Sequence, residues 1–246
     1  MKVKNRLLNY DNAIIYQNND YFLFSLDAVL LANFVNIRLS DKKIIDLCSG
    51  NAPIPMLLSY RTKARIFGVE IQKEIYDMGI ESIIENKMDN QIELLNYDVK
   101  KISDIYKRES FDIVTCNPPY FKYNGNKMVN ENMIKTNARH EVLIGIEDII
   151  KNAYYLLKNG GKFALVHRPD RLIEIIDLLK KYSLEPKRIQ FVYPKCNKEA
   201  NLILIESLKN GNIGLKIENP LIIHENDGEY TKQVKKMFGG DYFVAE

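Results

Sequence analysis

The chain has 246 residues, 46% hydrophobic and 27% charged, a balance that supports a sizeable soluble core. Its net charge of +3, from 35 basic and 32 acidic residues, permits a nucleic-acid partner without announcing one. Apolar runs such as Ala28 to Val35 are too short to span a bilayer, and the first dozen residues lack the apolar core of a signal peptide. Cys48, Cys116 and Cys196 are widely spaced, as are His140, His167 and His224. They suggest neither a disulfide framework nor a metal site, and they suit a reducing cytoplasm.

In chain order, "AIIYQNNDYFLF" (13–24) predicts a hairpin turning at Asn18-Asn19-Asp20, and "SLDAVLLANFVN" (25–36) a helix with Ser25 or Asp27 near its start. Strands and helices then alternate. Strands are expected at 42–48, 64–70, 91–96, 111–116 and 162–167, and helices at 54–61, 73–87, 145–158 and 170–183. Asn159-Gly160-Gly161 reads as the left-handed cap of the 145–158 helix. Segments 187–194 and 201–209 lack a helix-length gap between them and read as an antiparallel pair. A short strand (220–224) and a helix (230–238) close the pattern. Such alternation implies an α/β fold, a mostly parallel sheet covered by helices on both faces. Nothing marks a linker, so residues 1–246 read as a single domain with a small N-terminal element over 1–40.

In an open α/β sheet, ligands bind beyond the carboxyl ends of the strands. The residues there are Asp46 with the small-residue turn Cys48-Ser49-Gly50-Asn51-Ala52, then Glu70, Asp98 and Asn117. Each acid alone reads as a helix cap. Together, on one rim, they describe a site for a ligand with a ribose and an amino group. The turn lacks the Gly-x-Gly-x-x-Gly run of a dinucleotide site, which argues against NAD. The fourth strand, "FDIVTC", runs into Asn117-Pro118-Pro119-Tyr120. Two prolines must end a strand, because neither donates a ladder hydrogen bond, and they hold an amide and an aromatic ring on a rigid backbone.

The turn D-L-x-x-G, the acid after the second strand, Asp98 after the third and N-P-P-Y after the fourth resemble the class I S-adenosylmethionine-dependent methyltransferases. Over nearly the whole chain, "YQNNDYFLFSLDAVLLANF", "GVEIQ", "NPPYF", "ARHE", "LVHRPDRLIEII", "PKRIQFVYPK", "EANLILIE" and "PLIIH" resemble the bacterial tRNA1(Val) (adenine-N6)-methyltransferase family. Cys48 and Ala52 stand where that family's turn usually has glycines. The resemblance implies a Rossmann-like seven-stranded, mostly parallel sheet with an antiparallel strand pair at its C-terminal end, and an N-terminal element over the cofactor. It implies S-adenosyl-L-methionine held by Asp46, Cys48, Gly50, Glu70, Ile71, Asp98, Val99 and Asn117. Catalysis falls to Asn117, Pro118, Pro119 and Tyr120, acting on the N6 amine of the adenine 3′ of the anticodon of a valine tRNA.

The segment 121–141 carries Lys122, Lys127, Lys135 and Arg139, which read as phosphate contacts to tRNA or as a solvated face. Arg168, Arg171, Lys187, Arg188, Lys195 and Lys198 add scattered positive charge suited to RNA. Neither a metal, a membrane nor an obligate protein partner is implied. Two alternatives stay open: the same chemistry on another amine, in ribosomal RNA, DNA or a glutamine amide, and a non-catalytic RNA-binding relic.

Overall fold

The computed structural model describes residues 2–10, 12–18, 25–119 and 144–239. In chain order its elements begin with β1 (Lys2–Arg6), β2 (Ile14–Asn18), α1 (Leu26–Phe34), β3 (Lys43–Leu47), α2 (Pro53–Ser59), β4 (Arg65–Glu70), α3 (Lys73–Glu85) and β5 (Ile92–Asn96). A 3-10 helix (Val99–Asp104) precedes β6 (Phe111–Cys116), followed by α4 (Ile146–Leu156), β7 (Leu157–His167) and α5 (Leu172–Lys181). The rest is β8 (Leu184–Tyr193), β9 (Leu202–Lys209), β10 (Lys216–Ile217), β11 (Leu221–Ile222) and α6 (Lys232–Met237).

The main sheet is ordered β10-β8-β9-β7-β6-β3-β4-β5, with β11 also along β8. Strands β5, β4, β3, β6 and β7 are parallel, whereas β9 runs antiparallel to both β7 and β8. Side chains alternate across a strand, and here both faces are apolar. Ile44, Ile66, Ile113, Ala164 and Leu204 enter one core with α1, α2 and α3. Ile45, Val69, Val114, Leu165 and Ile205 enter the other with α4 and α5. Helix α4 shows the pattern that fixes its seat: Ile146, Ile149, Ile150, Ala153 and Leu156 are buried on one stripe.

From β3 the chain steps outward through β4 to β5, then returns to β6 on the other side of β3. That reversal opens a crevice above the carboxyl ends of β3 and β6, where Leu47 and Cys116 are register partners.

Several expected elements differ. Among the described residues the main sheet has nine strands, because two-residue β10 and β11 lie parallel along the edge of β8. Strand β2 pairs with the upstream β1, Lys2 opposite Asn18, a partner the sequence did not suggest; the expected turn at Asn18-Asn19-Asp20 and its return strand over 21–24 lie outside the described residues, apart from Asn18. Asn159-Gly160-Gly161 does not cap a helix: α4 ends at Leu156, and Leu157 already pairs with Phe111. The next partners are Ile113 and Lys162, so residues 158–161 form a bulge in which Gly160 takes φ +72°. The helix end is satisfied by Lys209 instead. Only 1% exposed, its Nζ donates to the carbonyls of Leu157 (2.7 Å) and Tyr154 (3.0 Å) and to the Glu109 carboxylate (3.0 Å).

Candidate cofactor and amine site

The turn after β3 is held from beneath. Asp46 is fully buried; the Ser49 hydroxyl donates to its Oδ2 at 2.8 Å and the Thr115 hydroxyl, from β6, to its Oδ1 at 2.6 Å. Burial pushes its pKa up to about 7, while the two hydroxyls pull the other way. Cys48, Gly50 and Ala52 take φ of 58°, 58° and 70°. Glycine adopts this left-handed backbone freely, whereas a residue with a Cβ is strained by about 1–2 kcal/mol. Neighbours enforce the shape: Ser49 N–H donates to the Val69 carbonyl (2.9 Å) and Gly50 N–H to Glu70 Oε2 (2.9 Å). The absence of a side chain at Gly68 lets β4 close on the turn, since a Cβ there would stand 2.6 Å from Ser49 Oγ. On the other side, a Cβ added to Gly50 would meet nothing within 4 Å among the described residues.

Glu70 ends β4 and is only 4% exposed. Its second oxygen, Oε1, accepts the Gln72 N–H at 2.8 Å. Burial raises its pKa, against the pull of these backbone donors. Asn96, at the end of β5, donates through Nδ2 to the carbonyls of Glu70 (2.8 Å) and Ile71 (3.0 Å), fixing the backbone after β4. Asp98 accepts the Lys100 N–H at 2.9 Å and so caps the 3-10 helix.

These strand ends converge on one cleft. Glu70 and Asp98 supply its acids; Ile71, Val99 and Cys48 line it, with Pro119 from the segment after β6. Val69 and Ile144 complete the wall, and the strand-end reading missed both. Val69 precedes the strand-end acid and could have been named from that position; Ile144 had no local signal. Asp46 lies under the turn, and Gly50 belongs to the turn itself. Asn117 is half-buried, the first residue beyond β6, as Cys48 is beyond β3. Tyr120, Lys122, Lys127, Lys135 and Arg139 lie outside the described residues. An open hollow of about 530 Å³ elsewhere, around Glu229, Lys232 and Lys235, is lined by charges of both signs.

His167 is buried at the end of β7, its Nδ1 accepting the Arg168 N–H at 2.8 Å. Burial, then the charge of Arg171, pushes its pKa down to about 4, so it is neutral at physiological pH. Arg171 pairs with Glu174, and Arg188 with Glu206 and Glu218, so two of the scattered bases serve ion pairs within the protein. Among the described residues there is no cluster of three potential metal ligands, and no helix is long and apolar enough to cross a membrane.

The arrangement offers a buried and a half-buried carboxylate, Glu70 and Asp98, for hydroxyl or amino donors, an apolar slot, and an amide after a rigidly ended strand. Comparisons agree with this chemistry. Residues 26–145 match the model of the Methyltransferase small domain family. A protein of Bacteroides fragilis (strain YCH46), named tRNA1(Val) (adenine(37)-N6)-methyltransferase, is 23% identical over 214 residues, spanning 86% of this chain and 89% of its own. A solved structure from Agrobacterium tumefaciens, described as a predicted O-methyltransferase, is 24% identical with a TM-score of 0.68, covering 86% of this chain and 95% of that one. Geranyl diphosphate C-methyltransferase from Streptomyces coelicolor, solved with S-adenosyl-L-homocysteine, has a TM-score of 0.57 at 12% identity, covering 74% of each chain. The fold is that of the class I methyltransferases.

Proposed function

We propose that this chain, whose residues 26–145 match the model of the Methyltransferase small domain family, methylates the N6 amine of an adenine in tRNA, using S-adenosylmethionine. The adenine is position 37 of a valine tRNA, as the names of the relatives have it. One observation carries the reading: a single cleft at the β3/β6 switch point joins Glu70 and Asp98 to Pro119 of the N-P-P-Y segment. The residues present suit the cofactor. An acid ends the second parallel strand, a second acid and apolar Ile71 and Val99 stand beside it, and the open side of Gly50 leaves room over the turn.

When bound, S-adenosylmethionine supplies an electrophilic methyl group. Glu70 accepts from ribose hydroxyls through lone pairs that Gly50 and Gln72 leave over, since each carboxylate oxygen has two. Asp98 would accept from the adenine amino group, Ile71 and Val99 would line the place of its ring, and the turn at Cys48 and Gly50 would hold the methionine end. Asp46 acts beneath, bracing that turn through Ser49 and β6 through Thr115.

The target amine is a poor nucleophile, because its lone pair is delocalised into the purine. The Asn117 side-chain oxygen and the Pro118 carbonyl accept its two N–H groups and bias the nitrogen toward attack; Pro119 keeps that segment rigid. Tyr120 stacks on the extruded base. The methylated nitrogen is a strong acid and releases its proton to water, so no side-chain base is required. Lys122, Lys127, Lys135 and Arg139 contact tRNA phosphates. The setting is the cytoplasm, with neither metal nor obligate protein partner.

Single-turnover methylation of an unmodified valine tRNA transcript with tritiated cofactor tests the reading. Asn117→Ala should react 100-fold or more slowly, about 2.7 kcal/mol of transition-state stabilisation, while cofactor affinity and melting temperature hold. Asn117→Asp, which keeps an acceptor oxygen, should be partly active. A wild-type rate in the alanine variant contradicts the amine clamp.

A further inference from the structure

A series of hydrogen bonds ties the turn after β3 to the N-terminal hairpin. Asn51, buried in the turn between Gly50 and Ala52, donates through Nδ2 to the Tyr16 carbonyl on β2 at 2.7 Å. The Tyr16 N–H in turn donates to Ser82 Oγ on α3 at 2.9 Å, and that hydroxyl donates to the Met78 carbonyl at 2.7 Å. Ile14 and Asn86 exchange two more bonds, the Ile14 N–H to Asn86 Oδ1 (2.8 Å) and Asn86 Nδ2 to the Ile14 carbonyl (2.7 Å). Lys2 and Lys4 pair with Glu81 and Glu85 and lie over the Tyr16 ring. Helix α3 also backs directly onto the turn: a Cβ on Gly79 would stand 3.2 Å from the Asn51 carbonyl carbon. Turn, helix and hairpin therefore meet at Asn51.

Resting on the function proposed above, we infer that Asn51 is a positioning residue that couples the N-terminal hairpin to S-adenosylmethionine binding. Its position in the chain is the reason. Cys48 and Ala52 hold the turn in a left-handed backbone that neither residue favours, so the binding shape persists only while neighbours enforce it. Asn51 supplies such a restraint beside Ala52, and it anchors on an element that α3 immobilises. Without it the turn relaxes, and the ligand must then order it, which weakens binding. Coupling is reciprocal, so a ligand that orders the turn also tightens the hairpin.

Calorimetric titration of S-adenosylmethionine, hydrogen exchange of the full-length protein and steady-state kinetics on tRNA test the coupling together, in wild type and Asn51→Ala. The variant should bind about tenfold more weakly, with kcat at saturating cofactor within about twofold and KM for tRNA unchanged. In wild type the cofactor should slow exchange of the Tyr16 amide and its β2 neighbours several-fold. In Asn51→Ala that protection should vanish while protection in the turn remains. A lower melting temperature with unchanged affinity would make the bond merely structural and overturn the coupling. Hairpin exchange indifferent to cofactor in wild type would overturn it too. If wild type fails to bind S-adenosylmethionine at all, the methyltransferase reading falls and the coupling falls with it. Wild-type binding with an unaffected Asn51→Ala sinks the coupling alone.

Discussion

Truncating Glu70 to alanine separates the brace it gives the turn from the ribose contact proposed for it. Its oxygens accept the Gly50 N–H at 2.9 Å and the Gln72 N–H at 2.8 Å, which ties the turn after β3 to the end of β4. A hydrogen bond to a charged group contributes about 1.5–3 kcal/mol. Both donors are only half-buried, so water replaces part of what they lose, and the cost to folding should sit near the lower bound. Ribose hydroxyls have no such substitute, because a bound nucleoside excludes water from the cleft. The affinity for S-adenosylmethionine should therefore fall about 10- to 150-fold, the same 1.5–3 kcal/mol expressed as a ratio. Glu70→Gln keeps one acceptor oxygen but turns an NH2 toward a backbone N–H, so it should bind no better than alanine. Calorimetric titration gives the affinity, and a melt of the same samples gives the folding cost. If Glu70→Ala binds within twofold of wild type yet melts lower, Glu70 only braces the turn and the ribose assignment is wrong.

Asp46 should impose a pH dependence on stability. Its pKa is raised to about 7 by burial, so its contribution is full below about pH 4 and is lost as pH rises toward 7. His167, lowered to about 4, acts with the opposite sign, contributing above about pH 6.5 and fading as pH falls. Asp46→Asn should accordingly gain stability relative to wild type between pH 4 and 7 in urea titrations, and a pH-independent difference would contradict the assignment. Lys209→Met should lose about 2–4 kcal/mol, because the carbonyls of Tyr154 and Leu157 lose their donor in a buried site; a loss under about 1 kcal/mol would mean water takes over. Neutralising Lys122 and Lys127 together should reduce the slope of log affinity for tRNA against log salt by about 1.5–2, with cofactor affinity unchanged. An identical slope would make that segment a solvated face.

The rim of the site was legible because each part of it is local. A short β-branched run predicts a strand, and the first residues after it must reach the carboxyl edge of a parallel sheet. That logic found Cys48, Glu70, Ile71, Asp98 and Val99, which do share one cleft. It misjudged what lies one contact away. Asp46 reads as a rim acid, but its place under the turn depends on Thr115, 69 residues later in the chain. Asn-Gly-Gly at 159–161 suits a left-handed helix cap and a left-handed bulge equally well; pairing of Leu157 with Phe111 on β6 decides between them. The strand "KVKNR" of β1 has no apolar alternation to betray it, since it is largely exposed and its lysines find partners on α3. Asn51 reads in the sequence only as part of a small-residue turn, because its partner, a backbone carbonyl on β2, leaves no trace in side-chain identity.

Methylation of the N6 amine of one tRNA adenine through Asn117 is the proposed reaction. Mass spectrometry of nucleosides from purified tRNAs of a strain lacking the gene measures it most directly. N6-methyladenosine should vanish from a single valine tRNA, return when the wild-type gene is restored, and stay absent with Asn117→Ala. Unchanged N6-methyladenosine in every tRNA of the deletion strain, or full restoration by Asn117→Ala, would contradict the account.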